Sequence, residues 1–240
     1  MQYMGGKSRI SNDISKIINS KVSDNFVSLF CGTCAIESKV NCDNKILNDS
    51  HEYLIELLTA VQNGYGIPDV VTKDDYYETK QNKDKDKALT GFVGFGCSFG
   101  GKWFGGYAKN NSGTNYAKQS KNSLLKKMKT MTHETTKFTN MDYRDVEIPD
   151  HSVVYCDPPY ANTTKYSNSN TFSHGDFWEY MRTLSKNNIV FISELNAPDD
   201  FVAIWEKPFK RVLDSNKDNI FESREKLFVH ESLVDSVGFH

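Results

Sequence analysis

Short apolar runs alternate with longer amphipathic segments along most of the chain. Four of these runs are rich in β-branched or aromatic residues and are bounded by polar positions, as buried strands are. They lie at 27–30, 45–48, 152–155 and 189–192. Between them, apolar positions recur every three or four residues, which predicts helices. The helical segments are 11–20, 52–62 and 176–185. This alternation favours an α/β fold, in which a mostly parallel sheet carries helices on both faces.

The middle of the chain interrupts this alternation. The segment 73–87 is a run of charged residues with little to bury, which predicts a solvated connector. The segment 91–113 mixes glycines with aromatic residues, and such a stretch forms neither a simple helix nor a good continuous strand. We therefore predict a core built from 1–62 and 139–240, split by an insertion at 63–138.

The composition is that of an ordinary globular protein. The chain has 240 residues, enough for one sizeable α/β core, with 25% charged residues and a net charge of −2. No apolar stretch is long enough to cross a bilayer, and the first ten residues lack the apolar segment of a secretory signal. We therefore expect an intracellular protein that has no membrane partner. The odd number of cysteines, five, argues against a disulfide framework.

One region differs in charge from the rest of the chain. Between Asp86 and Glu134 there is no acidic residue, whereas eight lysines fall there. They are Lys87, Lys102, Lys109, Lys118, Lys121, Lys126, Lys127 and Lys129. Such a stretch within a slightly acidic protein is typical of a surface that faces an anion. Its lysines and interleaved aromatic rings include the candidates for nucleic-acid contact, Lys102, Trp103, Tyr107, Lys109 and Lys118. The alternative for the aromatic residues is a place in the core.

The segment 153–160 combines a buried strand with an acidic, rigid end. Asp157 follows the apolar run directly. Pro158 and Pro159 then stop the strand, because proline has no N–H group and a fixed φ, and Tyr160 completes the motif. Ligands of open α/β sheets bind beyond the carboxyl ends of strands, so we expect these residues at the ligand edge of the sheet.

This combination suits chemistry on an exocyclic amine such as N6 of adenine. That amino group is a poor nucleophile, because its lone pair is delocalised into the ring. The Asp157 carboxylate and the Pro158 carbonyl can accept its two N–H groups and localise the pair, while Tyr160 stacks on the base. A structural Asp-Pro turn at a strand end is the alternative.

These motifs, in this order, resemble the Dam-type (D12 class) N6-adenine-specific DNA methyltransferases, which include phage members. The resemblance covers nearly the whole chain. The segment 3–7 resembles the family's N-terminal Y/W-x-G-G-K element, 29–32 its F-x-G-x-G cofactor loop, and 157–160 its D-P-P-Y motif. The chain departs from the pattern at Cys34, which stands where the family has a second glycine.

The resemblance implies a Rossmann-like methyltransferase core that binds S-adenosylmethionine, with an inserted target-recognition domain at 63–138. The implied cofactor-binding residues are Tyr3, Lys7, Phe30, Gly32, Asp49, Asp142 and Asp157. Among them, Asp49 is implied to bind the ribose hydroxyls and Asp142 the adenine amino group of the cofactor. Asp145 is the alternative to Asp142, and a helix N-cap is the alternative role for Asp49.

The implied reaction is site-specific methylation of adenine N6 in double-stranded DNA. The target base is rotated out of the duplex, and the methyl group is transferred by direct displacement, without a metal or a covalent enzyme intermediate. Asp157, Pro158 and Tyr160 are the implied catalytic residues. Cytosine N4, an RNA adenine and an inactive DNA-binding module remain as alternatives. We expect a monomer or weak dimer in the cytoplasm of a bacterium or a phage-infected cell.

Two further motifs suggest other chemistry but lack the context that it needs. The sequence GGKS at 5–8 resembles the end of a phosphate-binding loop, but no strand precedes it and the first glycine would fall at Met1. Cys31 and Cys34 have the spacing of a redox pair, yet they overlap the implied cofactor loop. No second pair of ligands with suitable spacing completes a zinc site.

Overall fold

A seven-stranded sheet forms the centre of the computed structural model, which describes residues 1–22, 24–110, 112–159, 172–212 and 220–238. Its strands are β1 (Asn25–Ser28), β2 (Asn44–Asn48), β3 (Thr136–Thr139), β4 (Val153–Cys156), β5 (Ile189–Glu194), β6 (Phe201–Val212) and β7 (Ile220–His230). Their order across the sheet is β3-β2-β1-β4-β5-β7-β6. Strands β1 to β5 pair in parallel, and β7 is antiparallel to both of its neighbours. The predicted α/β class is therefore correct.

Helices precede β1, follow β7 and occupy the connections from β2 to β3 and from β4 to β5. They are α1 (Ser11–Asn19), α2 (Glu52–Gln62), α3 (Lys73–Gln81), α4 (Lys87–Gly91), α5 (Tyr116–Met128), α6 (His174–Leu184) and α7 (Val234–Val237). Short 3-10 helices lie at Glu37–Lys39, Phe99–Gly101 and Glu231–Leu233, and one π-helical turn lies at Phe92–Gly96. The predicted bounds of α2 are correct. Helix α6 begins two residues earlier than predicted, because the Ser173 hydroxyl accepts the N–H of Asp176. No helix in the described ranges is long and apolar enough to span a membrane.

The central strands are buried on both faces of the sheet. In β4, Val153 and Tyr155 join one hydrophobic core, whereas Val154 and Cys156 join the other. This alternation follows from the two-residue period of a strand, and it explains why β4 has an uninterrupted apolar sequence. Both cores therefore hold β4 in place, and with it the residues that follow the strand.

The charged segment 73–87 is not the solvated connector that its composition predicts, because most of it forms α3. The Thr72 hydroxyl accepts the N–H of Asp75 at 3.1 Å, and the Asp75 carboxylate accepts the N–H of Thr72 at 2.8 Å. These two bonds form a capping box that starts the helix. Tyr76 is fully buried, with its hydroxyl oxygen 2.9 Å from that of Ser98. One buried ring on a charged helix leaves no apolar periodicity in the sequence.

Part of the glycine-rich segment is helical, contrary to the sequence-based expectation, because Phe92–Gly96 continues α4 as a π-helical turn. Glycine is required there by close packing rather than by a turn. A Cβ atom at Gly91 would lie 2.9 Å from the carbonyl carbon of Tyr53, and one at Gly94 would lie 2.6 Å from Cε3 of Trp103. The glycines thus allow α2 and the indole ring to approach the backbone of this segment.

The residues predicted as an insertion pack closely against the sheet. Tyr76, Phe92 and Leu124 belong to the same hydrophobic core as Ile14 of α1 and Leu58 of α2. Strand β3 begins at Thr136, two residues before the predicted end of the insertion. The segment 63–138 therefore shares its core with the rest of the chain, and its assignment as a target-recognition domain stays a prediction.

Candidate active site

Three of the motifs singled out in the sequence meet at one edge of the sheet. Strands β2, β1 and β4 are parallel neighbours, so their carboxyl ends lie side by side. Phe30 and Gly32 follow β1, Asp49 follows β2, and Asp157 follows β4. This edge is where open α/β sheets bind their ligands.

The loop after β1 is held by Asn48, which ends β2, and by Asp49, which follows it. Gly32 has a positive φ of 48°, and its N–H donates to Asp49 Oδ2 at 3.0 Å. The other carboxylate oxygen of Asp49 accepts the N–H of His51 at 2.9 Å. Burial raises the pKa of Asp49. Asp49 thus fixes the orientation of the loop after β1. The N-cap of α2 is His51 rather than Asp49.

The departure from the family pattern at position 34 changes the side chain but keeps a glycine-like backbone. Cys34 has φ = 55°, in the left-handed region that favours glycine, and its side chain is fully buried. Its N–H donates to the carbonyl of Cys31 at 2.8 Å. Burial raises the pKa of the Cys31 thiol well above its usual range, so this thiol stays protonated, unlike the thiolate of a redox pair.

The N-terminal segment lies across the loop after β1. A Cβ atom at Gly32 would lie 3.3 Å from Cε1 of Tyr3, so the tyrosine ring rests against the loop backbone. The ring also contacts Phe95, with 4.9 Å between ring centroids. The N–H of Met4 donates to the carbonyl of Gly101 at 3.2 Å, and a Cβ atom at Gly101 would lie 2.5 Å from the nitrogen of Tyr3. The glycine-rich segment therefore holds Tyr3 in place.

Lys7 connects the N-terminal segment to the acidic end of β4. Its Nζ lies 2.8 Å from Asp157 Oδ1 and 3.8 Å from Glu225 Oε2, and its side chain is only 6% exposed. Burial raises the pKa of Asp157 to about 6, the Lys7 ammonium lowers it, and Glu225 and Asp49 raise it. Asp157 is therefore mostly ionised at pH 7.

Phe30 and Asp142 lie farther along the same edge. The Phe30 ring packs against Tyr143, with 5.3 Å between centroids, and so closes the side of the site toward α6. Asp142 is exposed and binds the guanidinium of Arg144 at 2.8 and 3.0 Å, which lowers the pKa of its carboxyl. Asp145 is exposed as well. The choice between the two carboxylates stays a prediction.

Comparison with known proteins identifies this arrangement. The model of the D12 class N6 adenine-specific DNA methyltransferase family matches residues 3–92 and 102–227. The chain belongs to this family. The predicted family, the Rossmann-like fold class and S-adenosylmethionine as the cofactor are thereby confirmed.

Individual relatives are distant. The Type II methyltransferase M.FokI of Planomicrobium okeanokoites is 22% identical in an alignment of 231 residues, which covers 85% of this chain and 35% of that protein. The chain thus spans about a third of the length of this relative. Among solved structures, the rRNA methyltransferase aviRa of Streptomyces viridochromogenes is 13% identical, with a TM-score of 0.46 over 98% of this chain and 89% of that one. An S-adenosylmethionine-dependent methyltransferase of Clostridium acetobutylicum is 9% identical, with a TM-score of 0.33 over 97% and 78%.

The groups at this edge of the D12-class chain fit S-adenosylmethionine by their chemistry. Gly32 brings backbone without a side chain to the site, and the Tyr3 ring beside it offers an apolar face. Asp49 places a carboxylate, the kind of group that accepts hydrogen bonds from ribose hydroxyls, directly after β2. Among the described residues, no group of three His, Cys, Asp or Glu side chains is placed to hold a metal ion.

Of the other three residues of the D-P-P-Y motif, the structure describes the two prolines. Pro158 is buried and Pro159 is exposed, directly after Asp157. Tyr160, predicted to stack on the target base, lies outside the described residues.

The residues predicted to contact nucleic acid fall into two groups. Lys102, Lys109 and Lys118 are exposed. Trp103 instead stacks on Tyr53, with 5.5 Å between ring centroids. Tyr107 is half-buried and donates its hydroxyl proton to the carbonyl of Val71 at 2.8 Å. Both aromatic rings therefore have packing roles, whether or not they also contact DNA.

The sequence-based predictions missed three features near the site. Phe99 is 75% exposed, two residues before the Gly101 that contacts Tyr3. Its place in the acid-free, aromatic-rich segment was the available signal. Glu225 reaches Lys7 from β7, and no motif marks it. A third, Lys127 of α5, lies within the acid-free stretch but turns inward and donates to the carbonyl of Thr33.

Proposed function

We propose that this chain transfers a methyl group from S-adenosylmethionine to N6 of adenine in double-stranded DNA. The observation that carries the proposal is the position of Asp157. One oxygen of its carboxylate lies 2.8 Å from the Lys7 ammonium, at the edge where the loop of Gly32 also lies. A carboxylate fixed in this way is an acceptor preorganised for an amino group that becomes positively charged as it reacts.

Each member of the motif has a distinct role in this proposal. Asp157 Oδ2 and the carbonyl of Pro158 accept the two N–H groups of the target amine, and Tyr160 stacks on the base. S-adenosylmethionine supplies an electrophilic methyl group that the amine attacks directly. Tyr3, Lys7, Phe30, Gly32, Asp49 and Asp142 are the residues that we assign to holding it. Fixing both reactants in one geometry lowers the entropic part of the barrier.

In duplex DNA one N–H group of adenine N6 is paired with thymine, so the target base must rotate out before both N–H groups can reach the acceptors at Asp157 and Pro158. We assign the DNA surface to the acid-free segment, with Lys102, Lys109 and Lys118 as phosphate contacts. Phe99, exposed on the same segment two residues before the Gly101 that contacts Tyr3, provides an apolar face toward the DNA. We also propose that the protein acts in the cytoplasm of a bacterium or a phage-infected cell, where it would have access to DNA.

Replacing these three lysines together by methionine should weaken DNA binding and reduce its dependence on salt. Each phosphate contact releases about one counterion. The plot of the logarithm of the binding constant against the logarithm of salt concentration should therefore become less steep, by about 3 in the magnitude of its slope. Fluorescence anisotropy with a labelled duplex at several salt concentrations measures this slope. The matched control replaces Lys73, Lys80 and Lys85, which are also exposed but lie before the acid-free stretch. Equal slopes for the two triple variants would refute the assigned surface.

The proposed reaction is tested by incubating the protein with cofactor carrying a tritiated methyl group and, in parallel samples, with mixed-sequence DNA or RNA. The nucleic acid is then digested to nucleosides, which are separated. We expect label in N6-methyladenine. Label in N4-methylcytosine would replace adenine by cytosine as the substrate, label only in RNA would make the substrate an RNA adenine, and DNA binding without label would leave a binding module.

A further inference from the structure

Strand β7 adds a second carboxylate to the Asp157 site. Its residue Lys226 pairs with Glu194, the last residue of β5. Glu225 therefore comes one position beyond the carboxyl end of β5. Because β7 is antiparallel to β5, it enters the sheet from this edge, the same edge at which Asp157 follows β4. The register of β7 thus places Glu225 beside the catalytic motif.

Glu225 and Asp157 approach the same ammonium group. Lys7 Nζ lies 2.8 Å from Asp157 Oδ1 and 3.8 Å from Glu225 Oε2. The Glu225 side chain is 14% exposed, and that of Lys7 is 6% exposed, so water screens the group weakly. Two carboxylates and one ammonium make a partly buried triad with one excess negative charge.

The second carboxylate affects how strongly Lys7 acts on Asp157. An ammonium paired with Asp157 alone would draw electron density toward Oδ1 and weaken the carboxylate as a hydrogen-bond acceptor. Sharing the ammonium between two carboxylates keeps Asp157 in place while it remains a stronger base. We propose that Glu225 is a positioning residue for the methyl transfer. It holds Lys7 between two carboxylates, so that Lys7 orients Asp157 without weakening Asp157 as a hydrogen-bond acceptor. This inference rests on the proposed function.

Several charged groups surround Asp157, and each has a defined direction of effect. Lys7 of the N-terminal segment lowers its pKa, whereas Glu225 of β7 and Asp49 after β2 raise it. Glu37, in the 3-10 helix after β1, is coupled electrostatically to Asp157, and burial raises its own pKa to about 7. Removing the charge of Glu225 should therefore lower the pKa of Asp157, with Asp49 and Glu37 unchanged.

The test compares Glu225→Gln with Glu231→Gln, an exposed glutamate six residues farther along the chain. In Glu225→Gln we expect kcat to fall about tenfold, with KM for cofactor and DNA within about twofold of the wild type. The acidic limb of the pH–rate profile should move to lower pH. A role in packing alone would leave that limb in place. The control should match the wild type in all three quantities.

A second readout does not depend on turnover. The carboxyl carbon of Asp157, assigned by comparison with Asp157→Asn, is followed by NMR from about pH 4 to about pH 8. Its titration midpoint should fall in Glu225→Gln and fall less in Glu225→Asp, which keeps the charge with a shorter reach. An unchanged midpoint would overturn the inference. Wild-type protein that titrates as expected but does not methylate adenine would instead refute the proposed function.

Discussion

Asp157→Asn should reduce the rate of methyl transfer by about a hundredfold to a thousandfold or more while largely sparing DNA binding. Asparagine keeps the shape of the side chain, but its amide carries no charge and one of its two polar atoms cannot accept a hydrogen bond. The ion pair with Lys7, at 2.8 Å in the native protein, is lost as well. The target amine would then lose the acceptor that stabilises its positive charge in the transition state.

Initial rates of tritium transfer and the Kd for a labelled duplex measure the two halves of this prediction. Asp150→Asn is the matched control, because Asp150 is exposed and lies three residues before β4. A rate within about tenfold of the wild type would remove Asp157 from its assigned role. A parallel loss of DNA binding would instead indicate a general disturbance of the site.

Gly91→Ala should lower the free energy of unfolding by about 2 to 3 kcal/mol, although alanine favours helices more than glycine does. The added Cβ atom would lie 2.9 Å from the carbonyl carbon of Tyr53 and 3.0 Å from Cβ of Leu57. Both atoms belong to α2, whose backbone cannot give way as a flexible side chain can. Helices α2 and α4 would have to separate, and the core between them would lose contacts.

Urea unfolding followed by circular dichroism measures this cost. Gly66→Ala is the control, since no atom lies within 4 Å of its added Cβ and its φ is not positive. We expect the control to stay within about 0.5 kcal/mol of the wild type. Equal unfolding midpoints for the two variants would show that α2 and α4 do not pack as closely as described.

The sequence predicted those elements whose burial leaves a periodic trace. Helix α2 packs one face into the core, and its residues recur at helical spacing, so both of its ends are correct. Strand β4 is buried on both faces and appears as an apolar run. Helix α3 was missed because it buries Tyr76 as its one fully enclosed side chain, among charged neighbours. Its capping box, Thr72 with Asp75, was the local signal that outweighed composition.

Three of the predicted site residues lie in loops that follow a strand. Gly32, Asp49 and Asp157 each follow a parallel strand, so the fold class alone brings them to one edge. Glu225 could not be found in this way, because its place depends on the register between β7 and β5. Trp103 shows the opposite difficulty. Composition cannot tell an aromatic ring that stacks on Tyr53 from one that faces a ligand.

The central claim is that the carboxylate of Asp157 accepts a hydrogen bond from the amino group of an adenine that has rotated out of the DNA duplex. A crystal structure with S-adenosylhomocysteine and a duplex that contains the unmodified target adenine tests it most directly. We expect a carboxylate oxygen of Asp157 within about 3 Å of adenine N6. An adenine still stacked in its duplex, or an Asp157 side chain remote from both ligands, would contradict the claim.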